Sequence, residues 1–173
     1  MTLDRAATPR EHKATAPTSV GCYVLTVSDT KTPETDTSGA LIRDLLTAAG
    51  HRVAGSAIAR DEPLEVARLV RAACADPPVQ AVIVTGGTGI TSRDSTFEAI
   101  EALLDKRLPG FGELFRMLSF AEVGAAAMLS RAQMGVHARR IVVSLPGSPN
   151  ACRLALEKLI IPELGHLLRE VSR

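Results

Sequence analysis

The chain has no tryptophan, one tyrosine and four phenylalanines among 173 residues, so the places where aromatics gather mark concentrated burial. Cysteine is almost as scarce. Cys22, Cys74 and Cys152 are odd in number, far apart and set in apolar periodic segments, the pattern of free buried thiols in a reducing, cytoplasmic compartment. His12, His51, His137 and His166 fall at no metal-ligand spacing with each other or with a cysteine, which leaves a zinc site without support. No apolar run approaches the length of a membrane span, and the first residues lack the hydrophobic block of a signal peptide. Lysine and arginine are scattered at a net charge of +1, so nucleic acid and acidic membrane surfaces are not expected partners.

What remains is a chain with 46% hydrophobic and 23% charged residues, long enough to bury a proper core and too short for two full domains. Residues 1–19, MTLDRAATPREHKATAPTS, mix Ala, Thr, Pro and charge without apolar periodicity and read as a flexible tail. Residues 20–173 read as one domain. It opens with an apolar strand, Val20 to Val27, that runs into Ser28, Asp29 and Thr30. Asp36 or a neighbouring threonine then caps a helix with the face Leu41, Ile42, Leu45, Leu46, Ala49, which stops at Gly50. A strand from Arg52 to Ala59 follows, then Asp61-Glu62-Pro63 before the stripe Val66, Leu69, Val70, Ala73, Cys74. Asp61 has two readings here, a helix N-cap or a ligand-facing acid.

The centre of the pattern is AVIVTGGTGITSRD, Ala81 to Asp94. A β-branched run ends in Thr85, Gly86, Gly87, Thr88 and Gly89, whose small side chains leave backbone N–H groups open to an anion at a helix start. A tight turn without a ligand is the alternative. No Lys-Ser or Lys-Thr pair completes a P-loop, and Ser92 stands where a dinucleotide loop needs its third glycine. The run Ser95 to Glu98 forms a capping box, which frees Asp94 to face a ligand.

Further on, GFGELFRMLSF gathers Phe111, Phe115 and Phe120, either an ordinary core helix or a segment buried against another subunit. A strand from Arg140 ends in Ser144, Leu145, Pro146, Gly147, Ser148, with Ser148 as N-cap and Pro149 opening a last helix that Pro162 should kink. Strands alternating with amphipathic helices predict an α/β/α sandwich on a mostly parallel sheet, with room for one antiparallel strand. Ligand groups in such sheets gather at the strand ends: Ser28 with Asp29, Asp61, Thr85 to Asp94, and Ser144 to Asn150.

Taken in order, VSDT (27–30), DTSG (36–39), Asp61, GGTGITSRD (86–94), GFGELFR with Ser119, SRA (130–132) and LPGS (145–148) resemble the molybdopterin adenylyltransferase family of molybdenum cofactor biosynthesis. The resemblance covers its bacterial B-type and Mog-type forms and the G domain of eukaryotic relatives. It departs at Ser92, where many relatives carry proline, and at Phe97, often proline or a small residue. The resemblance implies a three-layer α/β/α domain, a homo-trimer or hexamer, and ATP-dependent transfer of AMP to molybdopterin with magnesium assisting. It also implies that Asp61 and Asp94 are functional acids that share Mg²⁺, that Gly86 to Gly89 hold phosphate, and that Ser144, Pro146, Gly147 and Ser148 form a second ligand turn. A non-catalytic carrier of molybdopterin or finished cofactor, using the same crevice, is the alternative.

Overall fold

A computed structural model describes residues 16–173; the remainder of the tail read at 1–19 lies outside the described residues. Within that tail, Ser19 donates to the Gly50 carbonyl at 2.9 Å.

The order of elements is β1 (Gly21–Val27), α1 (Thr37–Ala48), β2 (Arg52–Ala59), α2 (Pro63–Ala75), β3 (Ala81–Thr85), α3 (Thr96–Glu101), β4 (Lys106–Arg107) and α4 (Pro109–Val123). A 3-10 turn at Gly124–Leu129, β5 (Gln133–His137), β6 (Arg140–Leu145), α5 (Pro149–Ala155), a π turn at Leu156–Ile160 and α6 (Ile161–Ser172) complete it. The strands form one six-stranded sheet in the order β2-β1-β3-β6-β5-β4. The first four run parallel, while β5 and β4 are antiparallel additions at one side. Two antiparallel strands thus stand where the sequence left room for one. β4 is only two residues long, and β5, QMGVH, has no β-branched run to announce it.

Alternation along the strands divides the core in two. Cys22, Val24, Ile83, Ile141 and Val143 face α1, α4, α5 and α6; Leu25, Val82, Val84 and Val142 face α2 and α3. The result is the expected α/β/α sandwich, with β3 buried along its whole length. Burial pushes the thiols of Cys22 up to about 12 and of Cys74 and Cys152 up to about 11, and all three are free. No helix among the described residues is long and apolar enough to cross a membrane.

Pro162 does not act as a simple kink. It sits in the first turn of α6, and the wider π turn just before it lets the helical path continue past a residue with no N–H to donate. The β5–β6 hairpin closes through Ala138 and Arg139, both left-handed, at φ 47° and 61°.

This strand order positions a site. The chain leaves β1 toward β2 on one side and returns to β3 on the other, so the crevice between β1 and β3 opens at their carboxyl ends.

Candidate functional site

Three loops meet at that crevice. Gly86, at φ +102°, donates its N–H to the Leu145 carbonyl at 3.0 Å, and a side chain there would lie 2.1 Å from the Val27 carbonyl oxygen. Only glycine lets the ends of β1, β3 and β6 pack this closely. Thr85 Oγ1 donates to the Pro146 carbonyl at 2.9 Å, and Ser38 Oγ donates to the Gly147 carbonyl at 2.7 Å. The Leu-Pro-Gly turn is therefore tied both to the glycine loop and to the start of α1.

A cavity of about 530 Å³ lies above this junction. Thr85 to Gly89 form its floor, Thr26, Asp36 and Ser38 one wall, and Leu129 and Ser130 the other. The N–H groups of Gly87 and Thr88 donate to no backbone acceptor among the described residues, which leaves two donors for an anion. Asp94 also lines the cavity. The Thr91 hydroxyl, then the Thr91 and Gly89 amides and the charge of Arg131, hold its carboxyl below the usual carboxylate range. It is ionised at neutral pH.

A second cavity of about 820 Å³ adjoins the first and shares Ser28, Lys31 and Asp36 with it. Arg43, Arg60 and the end of β2 extend its lining. Asp29 faces this compartment, gripped by Arg93 through Nε at 2.9 Å and Nη2 at 3.2 Å, and that guanidinium holds its carboxyl below the ordinary range. Arg93 also reaches Glu62 at 2.8 Å.

Of the residues picked out by sequence, the structure brings Ser28, Thr85 to Gly89, Asp94, Pro146 and Gly147 to the first cavity and places Asp29 in the second. Three stand elsewhere. Asp61 lines neither cavity: its Oδ1 accepts from the Ser95 hydroxyl at 2.9 Å, the Ser95 N–H at 3.3 Å and the Thr96 hydroxyl at 3.3 Å. Glu62, not Asp61, takes the N-cap position of α2; Asp61 anchors the start of α3 through Oδ1, and its Oδ2 lies so close to Gly87 that a side chain there would meet it at 2.4 Å. The capping box at Ser95 fails for the same reason. Ser95 makes no cap bond with its side chain, and Glu98 turns to Arg131. Ser144 is fully buried on the α2–α3 side of β6, and Ser148, at the N-cap position of α5, lines a separate hollow beside Phe115.

Further residues complete the site. Asp36 is a helix cap, accepting from Gly39 N–H at 2.9 Å; it also accepts from the Thr26 hydroxyl at 2.8 Å and walls both cavities. Thr26 and Lys31 carry no local signal beyond their place near a strand end, whereas Ser38 lies in the DTSG stretch. Arg131 braces the glycine loop from a distance that no short motif spans.

Comparison with known proteins gives consistent matches. A family model described as a probable molybdopterin binding domain matches residues 23–166. Molybdenum cofactor biosynthesis protein B of Bacillus subtilis (strain 168) is 52% identical over 165 residues, which cover 95% of this chain and 97% of that protein. Its namesake in Halalkalibacterium halodurans is 49% identical over 164 residues, 94% and 96% of the two chains. Among solved structures, a molybdenum cofactor biosynthesis protein B matches at TM-score 0.89 and 51% identity, over 91% of this chain and 99% of that one. The tungsten cofactor synthesizing protein MoaB from Pyrococcus furiosus matches at TM-score 0.80 and 40% identity, over 91% and 100%.

Proposed function

The chain belongs to the molybdenum cofactor biosynthesis family of MoaB and Mog type, and from that premise we propose that it transfers AMP from ATP to molybdopterin. The observation that carries this reading is the pair of adjoining cavities with Ser28, Lys31 and Asp36 in common. A reaction between two anionic substrates needs two compartments with a shared wall, whereas a carrier needs only one.

In the proposed step a terminal phosphate oxygen of molybdopterin attacks the α-phosphorus of ATP. A new P–O bond forms, the bond to the bridging oxygen breaks, and pyrophosphate leaves with the electron pair. Positioning and charge neutralisation dominate such transfers. The Gly87 and Thr88 amides are the donors suited to hold phosphate oxygen, and Lys31, on the shared wall, brings a cation to both compartments.

Magnesium, when bound, supplies Lewis-acid neutralisation of the polyphosphate. Among the described residues no group of three or more His, Cys, Asp or Glu could hold a metal alone. That suits an ion carried in on ATP, with phosphate and water oxygens and one carboxylate around it. Asp94, ionised and on the cavity, would supply that carboxylate, while Asp61, with Oδ1 engaged by three donors, keeps Oδ2 against Gly87 of the loop.

Mass detection of adenylylated molybdopterin from the full chain, ATP and magnesium tests the reading. Asp94→Asn should abolish most of that product. Binding of molybdopterin with no AMP transfer by the unaltered chain would instead support the carrier.

We also propose that the chain works as a homo-oligomer. Leu114, Met117, Phe120, Val123, Met128 and Leu129 are exposed along α4 and the following 3-10 turn, a concentration of apolar surface that a second copy would cover.

A further inference from the structure

Arg131 lies just before β5 and reaches back under the glycine loop. Its Nε donates to the Thr88 carbonyl at 3.0 Å, and its Nη2 donates to the Gly89 carbonyl and, at 3.5 Å, to the Asp94 carbonyl. Nη1 pairs with Glu98, and the guanidinium carbon sits 5.0 Å from the centroid of the Phe97 ring. The fork is thus fixed in plane by a ring, in charge by a carboxylate and in register by three carbonyls. Lysine cannot reproduce this, since an ammonium offers one compact charge and no planar fork. Arg131 nonetheless lines neither cavity. Its charge acts from behind the loop.

The consequence follows from peptide planarity. In a trans peptide the carbonyl of one residue and the N–H of the next point to opposite sides. The Gly87 carbonyl accepts from the Thr96 N–H at 3.0 Å, which directs the Thr88 N–H away from α3. The Thr88 and Gly89 carbonyls are drawn to Arg131. A glycine-rich loop can otherwise flip a peptide at small cost, and a flip at Thr88 or Gly89 would turn a carbonyl oxygen toward the place where an anion has to sit. Phe97 supplies the ring that keeps the guanidinium aligned.

We propose that Arg131 is a positioning residue for the anion loop, holding the Thr88 and Gly89 carbonyls out of the cavity so that the loop presents donors alone to a phosphate-bearing ligand. This rests on the adenylylation reading above. It makes Arg131 necessary for anion affinity without contact between Arg131 and the anion.

The test compares the full chain with Arg131→Lys and Arg131→Met in calorimetric titration with inorganic pyrophosphate, alongside the KM for ATP and hydrogen exchange of residues 87–94. Arg131→Lys should bind pyrophosphate roughly tenfold more weakly, the scale of one charge-assisted hydrogen bond, and raise the KM for ATP by a similar factor. Arg131→Met should be weaker still; if it does not fold, Arg131→Lys decides alone. Unchanged pyrophosphate affinity in Arg131→Lys, with faster exchange at residues 87–94, would overturn the proposal and leave the arginine as a brace only. An unaltered chain that binds neither pyrophosphate nor ATP would overturn the adenylylation reading, and this proposal with it.

Discussion

Asp61 and Asp94 are two acids from separate motifs with different surroundings. Asp61 is 7% exposed and collects three donors at the start of α3, so its loss leaves the Ser95 N–H and two hydroxyls without their acceptor. Asp61→Ala should lower stability by about 2 kcal/mol, the usual cost of stranding buried donors, and chemical denaturation would measure it. Any loss of turnover in that variant should track unfolding of α3, and a circular dichroism melt identical to that of the unaltered chain would contradict this role. Asp94 is held by Thr91 and has its carboxyl lowered. A lowered carboxyl contributes stability that is present above its unfolded value and lost as pH falls through the folded one. The loop from Gly89 to Asp94 should therefore keep its order at pH 5 and lose it only below about pH 4, near the ordinary carboxylate value. Proton exchange of the Thr91 amide across that range is the measurement. Loosening already at pH 6 would assign the transition to another group.

At the scale of elements, the β5–β6 hairpin is built on the wrong residues for its turn. A two-residue hairpin loop with both φ values positive favours Asn-Gly, and the chain places Ala138 and Arg139 there. The Asp105 carboxylate partly compensates by accepting from the Ala138 N–H at 2.7 Å. Replacing the pair with Asn-Gly should raise stability by about 1 kcal/mol, seen as a higher Tm with activity unchanged, because the left-handed strain disappears. A lower Tm would mean that the Asp105 contact depends on Ala138. β5 and β4 carry no clear strand signal in the sequence. Periodicity and β-branching announce β1, β3 and β6, whose residues are buried on both faces, and Gly86 marks the loop after β3 because only glycine fits against Val27. Nothing comparable marks β4, which exists only through the pairing of Lys106 with Val136 and of Arg107 with Gly135. The same limit governs the site: Thr85 to Gly89 and Asp94 are contiguous and legible, whereas Asp61 meets Ser95 across 34 positions and Arg131 meets Thr88 across 43. Local pattern identifies which residues are polar near a strand end; only the tertiary path decides whether each faces the cavity or holds a neighbour.

For the whole molecule, the apolar surface on α4 and the 3-10 turn is the largest departure from an ordinary solvated exterior. Phe115 and Phe111 stack into the core at 6.2 Å, and Phe120 on the same helix is 62% exposed. The helix buries one side in the core and exposes the other, and it is this exposed side that the proposed oligomer would cover. Sedimentation should give a mass of a trimer or a multiple of it, and Phe120→Glu should reduce it to a single chain without changing the circular dichroism spectrum. A monomer at micromolar concentration for the unaltered chain would remove this surface as an interface.

The ties among the three loops also set the order in which the molecule becomes itself. Ser38 bonds to Gly147 across 109 residues and Thr85 to Pro146 across 61, so the cavity floor cannot exist until β6 has docked beside β3. Such non-local closures come late and slowly when a chain refolds. On dilution from denaturant, far-UV signal from the helices should recover first, and the capacity to bind pyrophosphate should lag behind it as a separate, slower phase. A ribosome-bound chain that has emerged only as far as β5 would hold β2, β1 and β3 of its sheet, with β5 and β4 lacking the strand that joins them to it, and no anion site.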